Sequence, residues 1–349
     1  MSSGQKVAFS FLSTLLLFAG FVYFAHTGLM SEIETKFYVQ AKVAEKQEIV
    51  DKLNRSCDSY ITNILSKIQS NPDGYLNASS VKSYVHQNPS EKDEIDRRNL
   101  TTNLLDSLSG LDGMRLVEKN GRNVHFSTFA DDILNSNGLN RVYKTYTDIQ
   151  KDSDELSTEL VLLNQNSPET KILLDKNHNR FVFAFPFYIT DNTYFGTLLC
   201  YVSFRDFEKH LLSDNAISLG DNIELIVDET TLTGGFVLGV PKEFAKEFDR
   251  PVKNTWKTRQ KQLSIDSSLD RILEIDNNSY WVMMQSSQKG KYFNVSAVYQ
   301  SSEFQLTREL EYLIYICIFT TLFILFFLLF SLKRDYVTVM KAKIKKIQF

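Results

Sequence analysis

The sequence lacks the short patterns that carry most enzyme chemistry. Its 349 residues hold no HExxH, no Cys-x-x-Cys, no Gly-rich phosphate loop and no nucleophile elbow. Zinc hydrolysis, dithiol redox chemistry, phosphoryl transfer and serine-type hydrolysis therefore have no residues to run on. The five histidines (His26, His86, His125, His178, His210) form no pair at helical ligand spacing. His125 sits between Val124 and Phe126 in an alternating run and reads as a strand-face residue. No catalytic residue, metal site or cofactor is expected, and the chain is not expected to be an enzyme. Cysteine is scarce, with Cys57, Cys200 and Cys317 alone. Cys317 falls in an apolar run. Cys57 and Cys200 are free to bridge in an oxidising compartment or to serve as two small buried hydrophobes.

Charge is also missing from two stretches. No Asp, Glu, Lys or Arg occurs between Lys6 and Glu32 or between Glu311 and Lys333. At 1.5 Å rise per residue, about 20 apolar residues cross a hydrocarbon core of roughly 30 Å. Both runs are long enough, and the second is nearly all Leu, Ile and Phe, more than any globular helix needs. The first competes with a cleaved signal peptide, but its best cleavage pattern, Ala25-His26-Thr27, is poor, which favours a retained anchor. The last 17 residues carry six basic side chains against one acid, a net +5, and the N-terminal stub adds Lys6. With a total of −3, residues 7–332 hold −9. Basic ends beside an acidic middle place the ends in the cytoplasm and the middle outside. The acidic middle also excludes nucleic acid as a partner.

Between the two runs, apolar residues at Ile33, Phe37, Ala41 and Ala44, then Ile49, Leu53, Cys57, Tyr60, Ile64 and Ile68, predict one helix over 32–70. Asn71-Pro72-Asp73-Gly74 stops it. Ser90-Glu91-Lys92-Asp93 resembles a capping box with Asp for Glu, opening a helix that runs to Gly110. The period then changes to two. Met114–Lys119 and Arg122–Ser127 flank Asn120-Gly121, a strong hairpin signal. An Asp-rich segment at 129–157 reads as loops and short helices. Strands follow at Glu159–Leu163, Lys171–Leu174, Phe181–Ile189 and Phe195–Phe204, then a helix at Arg205–Leu212. After Ser213–Gly220 the grammar repeats. Strands are expected at Asn222–Asp228, Phe236–Gly239 (after a Gly234-Gly235 turn), Arg271–Ile275, Tyr280–Ser286 and Lys291–Tyr299. A helix is expected at Pro241–Phe248, and another from Ser301 to Glu311 into the second apolar run.

The run Phe183-Ala184-Phe185-Pro186-Phe187-Tyr188, a turn, then Phe195-Gly196-Thr197-Leu198-Leu199-Cys200-Tyr201-Val202-Ser203-Phe204 resembles the double Cache sensory domains of bacterial chemoreceptors, histidine kinases and cyclic-dinucleotide enzymes. Met114–Ser127 is similar to that family's opening hairpin, and Lys291–Phe304 to its closing strand and exit helix. The resemblance covers about residues 32–310. It implies an α+β fold: a long N-terminal spine helix with two PAS-like (Cache) antiparallel-sheet modules, flanked by two transmembrane helices. The expected order is a cytoplasmic stub (1–6), transmembrane helix (7–30), spine (31–74), membrane-distal module (75–212), membrane-proximal module (213–310), transmembrane helix (311–332) and basic cytoplasmic helix (333–349). It implies a two-pass extracytoplasmic sensor in the cytoplasmic membrane that binds a small molecule and signals across it. The alternative is a non-catalytic scaffold or partner-binding protein with a degenerate Cache fold. Two departures matter. Amine-sensing members place an Asp where this chain has Tyr201, and Arg141-Val142-Tyr143 only echoes the family's Arg-x-aromatic-aromatic. The resemblance does not imply an amino-acid ligand.

Phe181, Phe183, Phe185 and Phe187 share one side of their strand, and Leu199, Tyr201 and Ser203 one side of theirs. Such stripes are core as a rule. The sharper reading is a ligand pocket lined by Tyr201, Phe183 and Phe185, with Tyr143 and Tyr146 from the variable middle. In the tail, Val337, Met340, Ile344 and Ile347 make one heptad seam among lysines. It reads either as a helix on anionic lipid or as the start of a dimeric signalling helix. The expected partners are a small-molecule ligand, membrane lipid and a second copy held through the spine and cytoplasmic helices. A receptor of this kind continues past Phe349 into an output domain or acts through a partner.

Overall fold

The computed structural model describes residues 3–70, 73–85, 90–137, 140–175, 177–190, 193–217, 223–227, 234–238, 271–275, 278–286, 293–332 and 344. Two units emerge, Met1–Lys46 with Gln300–Phe349, and Gln47–Tyr299.

The uncharged N-terminal run forms α1 (Ser3–Phe24). Its turn widens at Ala25–Leu29, where Gly28 takes φ +122°, a backbone that suits only glycine. Then come α2 (Met30–Ile33), a second widened turn at Glu34–Val39, and α3 (Gln40–Gln69). The helix expected without a break over 32–70 is thus regular only from Gln40. The break falls where the Glu34 carboxylate accepts the backbone N–H of Leu306 at 2.7 Å. Along α3, Val50, Leu53, Cys57, Tyr60, Ile64 and Ile68 are buried in one stripe at steps of three and four. A tight turn at Tyr75–Asn77 precedes α4 (Ser79–Tyr84) and α5 (Glu91–Ser107). The capping box is formed: Ser90 Oγ accepts the Asp93 N–H at 3.1 Å and donates to the Asp93 carboxylate at 2.7 Å.

β1 (Leu111–Glu118) and β2 (Val124–Ser127) make the hairpin over Asn120-Gly121. Gly121 takes φ +69°, and the Asn120 side chain accepts the backbone N–H groups of Arg122 and Asn123. The following segment holds more than loops and short helices: β3 (Ile133–Asn137) pairs with β4 (Asn140–Tyr143) before α6 (Tyr146–Ser153). Residues 159–163, expected as a strand, instead begin inside α7 (Thr158–Val161). Val161 and Leu163 are buried and Leu160 is exposed, and five residues are too few to declare a period. β5 (Lys171–Asp175), β6 (Arg180–Thr190), β7 (Thr193–Ser203) and α8 (Phe204–Ser213) follow.

Beyond them lie β8 (Ile223–Val227), β9 (Gly234–Leu238), β10 (Arg271–Ile275), β11 (Asn278–Ser286) and β12 (Phe293–Gln300). Gly234-Gly235, expected as a turn, lies within β9 opposite Val227 and Ile226. The expected helix at Pro241–Phe248 lies outside the described residues, as does the tail seam apart from Ile344. The Ser301–Glu311 helix is also corrected. A tight turn at Ser301–Phe304 and an extended Gln305 precede α9 (Arg308–Leu332).

Among the described residues the fold is α+β, with two five-stranded sheets, β2-β1-β7-β6-β5 and β9-β8-β12-β11-β10. Numbered from its own first strand, each reads second, first, fifth, fourth, third. All pairs of the first sheet are antiparallel. Gly196 allows β7 its close approach to β1, since a Cβ there would stand 2.1 Å from the Val117 carbonyl oxygen.

Directly paired residues of antiparallel strands share a face, so the register sorts the first sheet in two. One face carries Met114 and Leu116, Cys200 and Leu198, Phe183 and Phe185. Phe181 continues it and meets Phe207 of α8 at 5.3 Å, and Phe207 meets Tyr60 of α3 at 5.0 Å. Helices cover this face. Burying each such aromatic contributes about 1.5–3 kcal/mol. Cys57 and Cys200 are both buried and free, and burial pushes both thiols well above their ordinary pKa. In the first unit, α1 and α9 meet through aromatic edges, with Phe18 and Phe319 at 5.2 Å and Phe9 and Phe330 at 6.3 Å. Ser10 and Thr14 are buried on α1 and donate to their own helix's carbonyls.

Candidate functional site

The other face of the first sheet carries charge. Arg115 of β1 pairs with Leu199, and Arg180 at the start of β6 pairs with Ser203, so both share a face with Tyr201 of β7. The acids that meet them come mainly from the segments between strands. Asp132, in a tight turn after β2, grips Arg115 with both oxygens, Oδ2 to Nε at 2.7 Å and Oδ1 to Nη2 at 3.1 Å. The Ser127 hydroxyl also donates to Asp132 and accepts the N–H of Phe129. Glu155, in the link between α6 and α7, spans the two cations: Oε1 accepts from Arg115 Nη1 at 2.8 Å and Oε2 from Arg180 Nη2 at 2.6 Å. Asp175, ending β5, accepts from Arg180 Nε at 3.0 Å and meets His178 Nδ1 at 2.8 Å.

Every member but His178 is buried, so two guanidinium groups and three carboxylates lie out of water. Burial opposes the Arg115 charge, but Tyr201, Asp132 and Glu155 outweigh it, and its pKa is raised. At Arg180 burial is likewise overcome, chiefly by Glu155. Tyr201 is 1% exposed and lies against both cations, its ring centroid 4.3 Å from Arg180 Cζ and 4.9 Å from Arg115 Cζ. Phe129 packs edge-on against it at 5.4 Å. Among the described residues the Tyr201 hydroxyl makes no hydrogen bond of ordinary geometry, and Arg115 and Tyr146 are the polar groups it faces. Burial pushes its pKa up to about 12, against the opposing pull of Arg115.

Tyr146 is fully buried in the same cluster and donates to the Leu156 carbonyl at 3.3 Å, and Tyr143 packs at its margin. Three of the five expected site residues, Tyr201, Tyr146 and Tyr143, are therefore brought together. Phe183 and Phe185 are not. They pair with Cys200 and Leu198 and stack on each other under the helices, so one cleft lined by all five is not what the register builds. The reason is parity: Val182 and Ala184 are the β6 residues that share the Tyr201 face.

Sequence reasoning missed Arg115, Arg180, Asp132, Glu155, Asp175 and His178. A signal was present in Arg115, a charge inside the apolar strand Met114–Val117, and in the acids of the 129–157 segment. Ligand atoms of Glu155, Asp175 and His178 lie within 4.8 Å of one another, a set able to hold a cation. Both carboxylates already serve Arg180, however, so the guanidinium is the cation this arrangement is built around.

An α+β protein with one aromatic face and one buried charged face is the class this geometry defines. Residues 38–303 match the family described as TP_0593_N, N-terminal domain, and the chain belongs to that family. It is similar to an uncharacterized protein of Treponema pallidum (strain Nichols), 26% identical over 347 residues. The match covers 99% of this chain and 48% of that protein, so the chain spans about half the length of its curated relative. Among solved structures, it is similar to the sensory domain of the Campylobacter jejuni chemoreceptor Tlp3 (CcmL), with a TM-score of 0.47, 11% identity, and coverage of 78% of this chain and 99% of that one. It is also similar to an extracellular ligand binding receptor from Desulfohalobium retbaense, with a TM-score of 0.43, 7% identity, and coverage of 72% of this chain and 39% of that one.

Proposed function

We propose that this chain is a membrane-anchored extracytoplasmic sensor that binds a small molecule on the Tyr201 face of its first sheet and passes a conformational signal across the membrane. The observation that carries the reading is the Arg115–Arg180 pair around a buried, unpartnered tyrosine hydroxyl, held by acids from inter-strand segments. Charge on a sheet face costs more than the phenylalanines of the opposite face, and fold alone does not require it. Convergent polar groups in an otherwise apolar setting are how small-molecule sites are made.

Among the described residues, two helices long and apolar enough to cross a membrane support the anchor. No residue of α9 is buried, whereas a core helix of a soluble protein would be covered. The −9 middle and the +5 tail support an external centre and a cytoplasmic end. Two sheets in one strand order support two Cache modules, at 75–212 and 213–310, with the first as the distal, ligand-binding one. The role is binding rather than catalysis, and a second copy docks through the spine. A second reading, a scaffold with a filled pocket, is favoured by how fully the carboxylates already satisfy both arginines.

A thermal-shift screen of the full chain in detergent against a metabolite library tests this reading, because a ligand specific to the folded state raises Tm by mass action. A hit whose effect is reduced in Tyr201→Phe supports it. An unresponsive library favours the scaffold, and a hit mapped to residues 221–300 removes the site from the first sheet.

A further inference from the structure

Glu155 is placed unlike the other acids of the site. One carboxylate reaches two guanidinium groups fixed on different strands, at 2.8 Å and 2.6 Å. That is the geometry of a seat for any carboxylate, built by β1 and β6 and filled by a residue belonging to neither. Glu155 follows Asp154, which takes a left-handed φ of +50°, in the short link between α6 and α7.

We propose that Glu155 is the chain's own occupant of this seat, and that the site takes a small carboxylate-bearing molecule in exchange for it. The inference rests on the ligand-binding reading above and names the chemistry of that ligand. Charge permits the exchange. With Glu155 gone, Arg115 keeps Asp132 on two bonds and Arg180 keeps Asp175, so two cations remain matched by two anions. The third carboxylate is the one in excess, and an incoming carboxylate restores the present balance. Tyr201 adds a second reason. Its hydroxyl is buried beside Arg115 and Tyr146 with no hydrogen bond of ordinary geometry to any described residue, as expected of a seat shaped for something other than the side chain now filling it. Release of Glu155 frees the α6–α7 link, so occupancy of the seat and the conformation of that link are coupled.

The test uses the full chain in detergent micelles, with sodium acetate, glycolate and succinate as probes and sodium chloride at equal ionic strength as the control. Thermal shift gives the binding midpoint for the wild type, Glu155→Gln and Glu155→Asp. The latter is one methylene too short to span both arginines and serves where the Gln variant fails to fold. At least one probe is expected to bind either variant at least tenfold more tightly than the wild type, because it no longer competes with Glu155. In the wild type, saturating probe is expected to speed hydrogen exchange over residues 154–163. A probe that binds wild type and variants alike, with exchange there unchanged, overturns the plug while leaving the sensor reading intact. Variants that lose stability and bind none of the three probes overturn it too, and show Glu155 to be a structural brace.

Discussion

One face of the first sheet is closed with phenylalanine and the other with arginine and acid, and the two faces are held by different physics. On the first, Phe183, Phe185 and their neighbours lose contact with water against helices, and no partner has to be a particular residue. On the second, Arg115 needs Asp132 and Glu155 in particular, 17 and 40 residues away in sequence, because a buried charge is tolerated only when paired. The apolar face can drift in sequence while the fold stands. The charged face is specific, and specificity is what a binding site requires.

Substitutions that break one face at a time sharpen this contrast. The largest effect is expected from Arg115→Ala, which strands Asp132 and part of Glu155 in the interior. Denaturation of the full chain should show a loss of about 3–5 kcal/mol. High pH should probe the charged face next. The Tyr201 pKa is raised from its ordinary 10.0 to about 12 in the fold, so the native state keeps a proton that the unfolded chain releases. Its contribution is whole below pH 10 and is lost as pH rises toward 12. Comparing wild type with Tyr201→Phe across that window should expose a difference of no more than roughly 2–3 kcal/mol. On the apolar face, Leu198→Met keeps volume and should cost less than about 1.5 kcal/mol, whereas Arg115→Lys, equally conservative on paper, loses the bidentate grip on Asp132 and should cost more. The smallest effect belongs to the periphery, where Ser90→Ala removes the α5 cap at about 1 kcal/mol by thermal denaturation.

Local signals were legible in the sequence, and pairings were not. Asn120-Gly121 marked its hairpin and Ser90–Asp93 its cap because both act over two or three residues. The alternation of Phe181 to Phe187 was also readable, but which residues of β7 shared their side was not. A one-residue slip in register moves a whole set of side chains to the other face, and nothing within either strand fixes the slip. That is why the sequence alone does not separate Phe183 and Phe185 from Tyr201. The acids of the site were invisible for the same reason: Glu155 acquires its meaning only when β1 and β6 bring Arg115 and Arg180 to either end of it. The α7 segment differs in kind: the apolar run Leu160–Leu163 is only four residues long and fits two periods.

The most direct measurement of the central claim is the affinity of a screened ligand for three forms of the full chain: wild type, Tyr201→Phe on the charged face, and Leu198→Met on the apolar face. Tyr201→Phe is expected to weaken binding by about 1 kcal/mol or more with its fold intact, and Leu198→Met to bind as the wild type does. Unchanged affinity in Tyr201→Phe, with a loss in Leu198→Met, would contradict the account and move the site to the helical face.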